Sequence, residues 1–170
     1  MRTGSWVIVL GAAVSAAQAQ DNMLSKEVRE AYQTVKNNLL RSAEKMPEEN
    51  YSFKPAPRVR TFGQILGHLA EEQYFFCAPL KGEQKAVDVE KTKTSKADLI
   101  AALKESFAYC DSVYDSMTDA KALQVLTRGE AKRTQLRMLW GNIAHNSEHY
   151  GNLVTYLRIK GLVPPSTEGR

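Results

Sequence analysis

The sequence predicts an all-α fold, a bundle of four long helices. Three observations carry this reading. Four stretches place apolar residues at spacings of three and four, the mark of a helix with one buried face. Capping residues, prolines and glycines punctuate those stretches where helices would start and stop. The remainder holds no internal repeat, no low-complexity tract and no second domain, so helices are left to pack on helices.

The first 19 residues stand apart from the fold. Arg2 is followed by the apolar run Trp6 to Val14 and by Ala17-Gln-Ala19, a small-x-small cleavage pattern, which together read as a secretory signal peptide. The apolar run is too short for a membrane span. Removing it leaves 151 of the 170 residues, residues 20–170, enough for one domain with a proper core. The expectation is a periplasmic or secreted protein with no stable membrane anchor after cleavage. The formal charge of +4 falls to +3 without Arg2, and the lysines are scattered. With no long basic run and no aromatic interleaving, nucleic acid is not an expected partner.

Asp21-Asn22 can cap a first helix that runs to about Met46, with Val28, Tyr32, Val35 and Leu39 on its inner side and Pro47 after it. Residues 48–60 carry Pro55 and Pro57 and read as an extended connection. Thr61 caps a second helix continuing to about Leu80. Gly63 and Gly67 each cost that helix about 1 kcal/mol relative to alanine, which implies close approach of another backbone or room beside His68. Residues 81–94 are charged and aperiodic, and read as a long loop. Ser95 with Asp98 opens a third helix through Leu99, Leu103, Phe107, Cys110 and Tyr114 to about Met117. Residues 119–133 are either a short strand and turn or irregular loop. Thr134 starts the fourth helix, stopped by Gly161 and Pro164-Pro165.

The chemistry concentrates in the fourth helix. His145 and His149 are four apart, so their Cβ atoms lie about 5–6 Å from one another on one face. Only one other histidine is present, His68, on the buried side of the second helix. Three neutral imidazoles with a fourth position left to water form an open transition-metal site. A buried histidine is more often a hydrogen-bonded core residue, but here the surroundings favour a metal. Asn142, His145, His149, Asn152 and Tyr156 form a polar stripe, and Leu136, Leu139, Ile143, Ser147, Tyr150, Val154 and Leu157 a mostly apolar one. Glu72, one turn beyond His68, is a candidate general base, fourth ligand or partner behind a ligand, or else a solvated or salt-bridged glutamate. Tyr156 is a candidate for orienting substrate or for finishing hydrogen bonds in the bundle interior. Tyr74, Phe75 and Phe76 read as core or as a subunit contact in a homodimer.

Phe62-Gly-Gln-Ile-Leu-Gly-His68, His145-x-x-x-His149-Tyr-Gly-Asn152 and the ending Tyr156-Leu-Arg-x-x-Gly161-x-x-Pro164-Pro165 together resemble the DinB-like (DinB/YfiT-like) superfamily. The resemblance covers essentially the whole mature chain. It implies an up-down-down-up four-helix bundle in which His68, His145 and His149 hold a divalent metal, zinc or nickel. It also implies two enzyme precedents, metal-dependent hydrolases and thiol S-transferases. Export favours the hydrolase, because low-molecular-weight thiols are not expected to be plentiful in an oxidising compartment. A non-catalytic metal-binding module is the reading from a different class. If that topology makes the second and third helices parallel, Cys77 and Cys110 sit at matching heights, and either a disulfide or two buried free thiols fits.

Overall fold

A computed structural model describes residues 22–169. The proposed leader at residues 1–19 and the cap residue Asp21 lie outside that range. The elements are α1 (Met23–Lys45), α2 (Phe62–Cys77), α3 (Val89–Thr92), α4 (Lys96–Asp115), α5 (Asp119–Ala122), β1 (Val125–Arg128), β2 (Ala131–Thr134) and α6 (Gln135–Ile159). The long helices α1, α2, α4 and α6 form the bundle. No helix among the described residues is long and apolar enough to cross a membrane.

The contacts fix the order of the helices as up-down-down-up. The start of α2 meets the start of α4, where Leu99 packs beside Gly63. The ends of the same two helices are joined by a Cys77–Cys110 disulfide with Cα atoms 5.5 Å apart, so they run parallel. Tyr32 of α1 stacks on Tyr114 near the end of α4 at 3.8 Å, while Lys96 at the other end of α4 donates to the Met46 carbonyl. Those two helices are therefore antiparallel. In α6, His145 meets His68 near the start of α2, and Asn142 meets Gln73 further along it, which reverses α6 against α2. Leu39, Leu66, Leu69, Leu103, Leu139 and Leu153 fill the interior and are fully buried. Each such side chain contributes about 1.5–3 kcal/mol relative to exposure.

Local chemistry explains most boundaries. The Thr61 hydroxyl accepts from Gln64 N–H while the Gln64 side chain accepts from Thr61 N–H, a complete capping box. Ser95 caps α4 through Asp98 N–H, and Thr134 caps α6 through Arg137 N–H. Gly161, at φ 73°, takes the left-handed turn that ends α6.

Three expectations need correction, and one open alternative is decided. Asn22 does not cap its own helix. The Asp119 carboxylate accepts from Leu24 and Ser25 N–H at 3.2 and 2.7 Å, and Asn22 in return accepts from Asp119 N–H at 3.2 Å. Two helix starts thus cap each other across the chain. The α-helical part of α2 ends at Cys77, and Ala78–Lys81 tightens into a 3₁₀ turn, because Pro79 lacks the N–H that a continuing helix needs. The aperiodic segment 81–94 contains the short helix α3. Residues 125–134 settle as an antiparallel hairpin with Val125 opposite Thr134 and Arg128 opposite Ala131.

Candidate metal centre

Two helices bring the histidines together. His68 projects from α2 and His145 and His149 from α6, with ring centroids 5.0, 4.9 and 4.5 Å apart in the three pairings. Their ligand nitrogens all lie within 4.8 Å of one another, a group that could hold a metal ion. His149 is buried; the other two are half-buried.

The details fit such an ion. Nε2 of His68 and Nε2 of His145 are 3.1 Å apart. Nitrogens bound at about 2.0–2.1 Å to one tetrahedral ion lie about 3.4 Å apart. Nδ1 of His145, on the other side of the ring, is buried without a hydrogen-bond partner among the described residues. Burial pushes all three imidazoles below the ordinary histidine range. His145 drops furthest, to about 4, with His149, His68 and Arg60 adding to burial. The rings are thus held neutral, the form in which imidazole donates to a metal.

The histidines are braced from behind. Asn152 Nδ2 is 3.3 Å from His149 Nδ1; an amide can present either end, so Asn152 accepts from Nδ1–H when Nε2 is the ligand atom. A carboxylate that sequence reasoning missed, Glu90 of α3, stands behind His68. Its Oε2 is 3.7 Å from His68 Nδ1 and its Oε1 is 2.9 Å from Arg60 Nε. Glu90 N–H in turn donates to Glu71 at 2.6 Å. Gly67 permits this placement, since a Cβ there would lie 2.6 Å from Glu90 Cα. The close backbone approach expected of that glycine is real, and the approaching backbone is α3.

Beneath the histidines lies a buried amide layer. Gln73 donates to Asn146 Oδ1 at 2.8 Å and accepts from Asn142 at 2.9 Å, and the Tyr114 hydroxyl is 3.0 Å from Asn142 Oδ1. Asn142 therefore belongs to the bundle interior with Asn146, a correction to the polar stripe that grouped it with the histidines. Ser147, placed in the apolar stripe, is exposed.

The remaining candidates are distributed around the centre. Tyr156 is buried with its hydroxyl donating to the Arg60 carbonyl at 2.7 Å, so it anchors the residue that holds Glu90. Glu72 is half-buried and lines a cavity with Glu71, Tyr74 and Phe75, outside the groups whose atoms converge with His68. Burial raises its carboxyl above the ordinary range, Glu71 adds to this, and Arg60 opposes it. A second cavity, of about 500 Å³, opens at His145 and shares Phe75, Pro79 and Leu126 with the first. Phe75 and Phe76 line it, so two residues read as core or subunit contact are walls of a ligand-sized space. Tyr74 is buried as expected.

The profile of the DinB superfamily matches residues 31–153, a span that contains all three histidines. The chain belongs to the DinB superfamily. No curated protein matches it in sequence. Its fold is similar to a DinB-like protein of Bacillus cereus, at 15% identity over 82% of this chain and 95% of that one, with a TM-score of 0.71. A DinB-like protein of Bacillus subtilis is 22% identical over 79% and 92%, with a TM-score of 0.66. A conserved protein of Enterococcus faecalis is 15% identical over 79% and 95%, also with a TM-score of 0.66. At these identities the likeness concerns the DinB-like helical fold.

Proposed function

We propose that this DinB-superfamily protein is an exported metal-dependent hydrolase, with His68, His145 and His149 as ligands of a zinc or nickel ion. The observation that carries the reading is the convergence of three neutral imidazoles beside a cavity, with no fourth protein ligand in the group among the described residues. Structural zinc is almost always closed by four protein ligands, whereas catalytic zinc keeps a position open. An ion held there supplies a bound water of lowered pKa. Glu72, one turn beyond His68 on α2 and lining the adjoining cavity with a carboxyl raised by burial, is the carboxylate we assign to proton transfer. Tyr156, its hydroxyl engaged by Arg60, is assigned to positioning. The Cys77–Cys110 disulfide supports export, since such bonds persist in oxidising compartments.

Metal analysis with a panel of esters, amides and thiol-transfer substrates tests the proposal. His145→Ala should lose the metal and all turnover while the metal-free fold keeps its melting temperature. Glu72→Gln should retain the metal and lose about 100-fold in kcat. Transfer from thiols without hydrolysis would move the assignment to an S-transferase. Metal binding with no turnover, and unfolding on its removal, would leave a structural module.

A further inference from the structure

The cavity at His145 has a chemical character of its own. Its walls include Phe75, Phe76, Leu126 and Met138, and two arginines, Arg133 from β2 and Arg137 from the first turn of α6, line it. Neither arginine has an ion-pair partner among the described residues. Arg137 is folded into place: a Cβ at Gly141 would lie 3.2 Å from its Nη1 and 2.9 Å from Phe76 Cε1. The missing side chain at Gly141 is the space that the guanidinium and the aromatic ring fill. Glu148 lines the opposite end, past His145. With neutral histidines the formal charge of the lining is +1, suited to a monoanion. In the metal-free protein an anion is drawn to the arginine end and repelled by Glu148 at the other.

We propose that this cavity is the substrate subsite for an amphipathic carboxylate, an aryl or alkyl body against Phe75 and Phe76 with its carboxylate on Arg133 and Arg137. Residues 137 and 145 are eight apart, about 12 Å along the helix axis, and the guanidinium reaches forward to Gly141, leaving about 6 Å to the level of His145. The reacting bond of such a substrate lies about 6–12 Å from its carboxylate. The position of the reacting bond rests on the hydrolase reading; the subsite itself does not.

Calorimetric titration with 5-phenylvalerate and its neutral counterpart 5-phenylpentanol tests the subsite without turnover. Zinc-loaded and chelator-stripped protein should both bind the carboxylate about tenfold more tightly than the alcohol, the worth of one charge-assisted contact at a partly exposed site. The advantage should shrink with added salt. The double variant R133A/R137A should abolish it and leave the alcohol within about twofold. Both positions are exposed, so the core is untouched, and far-ultraviolet circular dichroism checks this. An advantage lost on stripping the metal would put the carboxylate on the ion and overturn the proposal. So would an advantage that survives the double variant, or failure of both probes to bind below about 10 mM. Intact selective binding with no ester or amide turnover would instead refute the hydrolase reading and leave the subsite standing.

Discussion

Replacing Gly67 by alanine should uncouple the metal site from the fold. The new Cβ would meet Glu90 Cα at 2.6 Å and Glu90 N at 2.9 Å. Ordinary carbon contacts lie at about 3.5–4.0 Å, so α3 must retreat by about 1 Å. Both meeting atoms are backbone, so no side-chain rotation relieves the clash. The retreat would open the 3.7 Å approach of Glu90 to His68 and stretch the 2.6 Å bond from Glu90 N–H to Glu71. Losing that bond to a carboxylate costs about 1.5–3 kcal/mol. Alanine returns about 1 kcal/mol of helix propensity. The metal-free variant should therefore melt within about 8 °C of the parent. Zinc affinity, measured by competition with a chromophoric chelator, should fall about 10- to 100-fold, the usual effect of losing a partner behind a histidine ligand. Gly63→Ala is the control, because its tight neighbours, at 3.1 and 3.2 Å, belong to Leu99 and Tyr51 and not to α3. Zinc affinity within twofold of the parent in Gly67→Ala would refute the coupling of α3 to His68.

Two further outcomes follow from contacts distant in sequence. The disulfide closes a loop of sequence separation 33. Chain entropy assigns that closure about 3.7 kcal/mol, so a reductant should lower the urea midpoint by about 1–3 M; a change below about 0.5 M would contradict the entropic account. Asp119 supplies a pH dependence. Burial opposes its ionisation, but the hydrogen bonds from Ser25 and Leu24 outweigh this and hold its carboxyl below the ordinary range. A folded-state pKa below the unfolded one stabilises above the unfolded value, and the benefit fades as pH falls through the folded one. Asp119→Ala should therefore lower the urea midpoint at pH 7 and converge on the parent as the pH falls below the ordinary carboxylate range. An equal gap at both pH values would show that the carboxylate charge is irrelevant.

Where information is local, the sequence discloses the fold. Thr61, Ser95 and Thr134 each cap the helix that directly follows, and their hydroxyls perform that task in the folded chain. The histidines were legible for a similar reason, since spacing along one helix fixes a shared face. What escaped depends on contacts between distant segments. Asn22 resembles a cap by type, yet the acceptor comes from Asp119, 94 positions beyond Ser25. Glu90 sits in a charged stretch without periodicity, and only Gly67 hints that a backbone must pass there. Asn142 falls on the histidine side of a helical wheel, but the wheel does not reveal that Gln73 and Tyr114 wait deeper in the bundle. Phe75 and Phe76 could be assigned to core by composition; the hairpin that roofs the space beside them has no strong sequence signature.

The amide layer of Gln73, Asn142 and Asn146 indexes the rotation of one helix against another. Turning α6 by a single residue swings its side chains by about 100° and strands several amide groups away from water, each at about 1–3 kcal/mol. An apolar seam would tolerate small slippages of phase, because one leucine substitutes for another. Here the azimuth of α6 is keyed, and with it the direction in which His145 and His149 point. The convergence on His68 is therefore set by neighbours one turn away, before any ion arrives to enforce it.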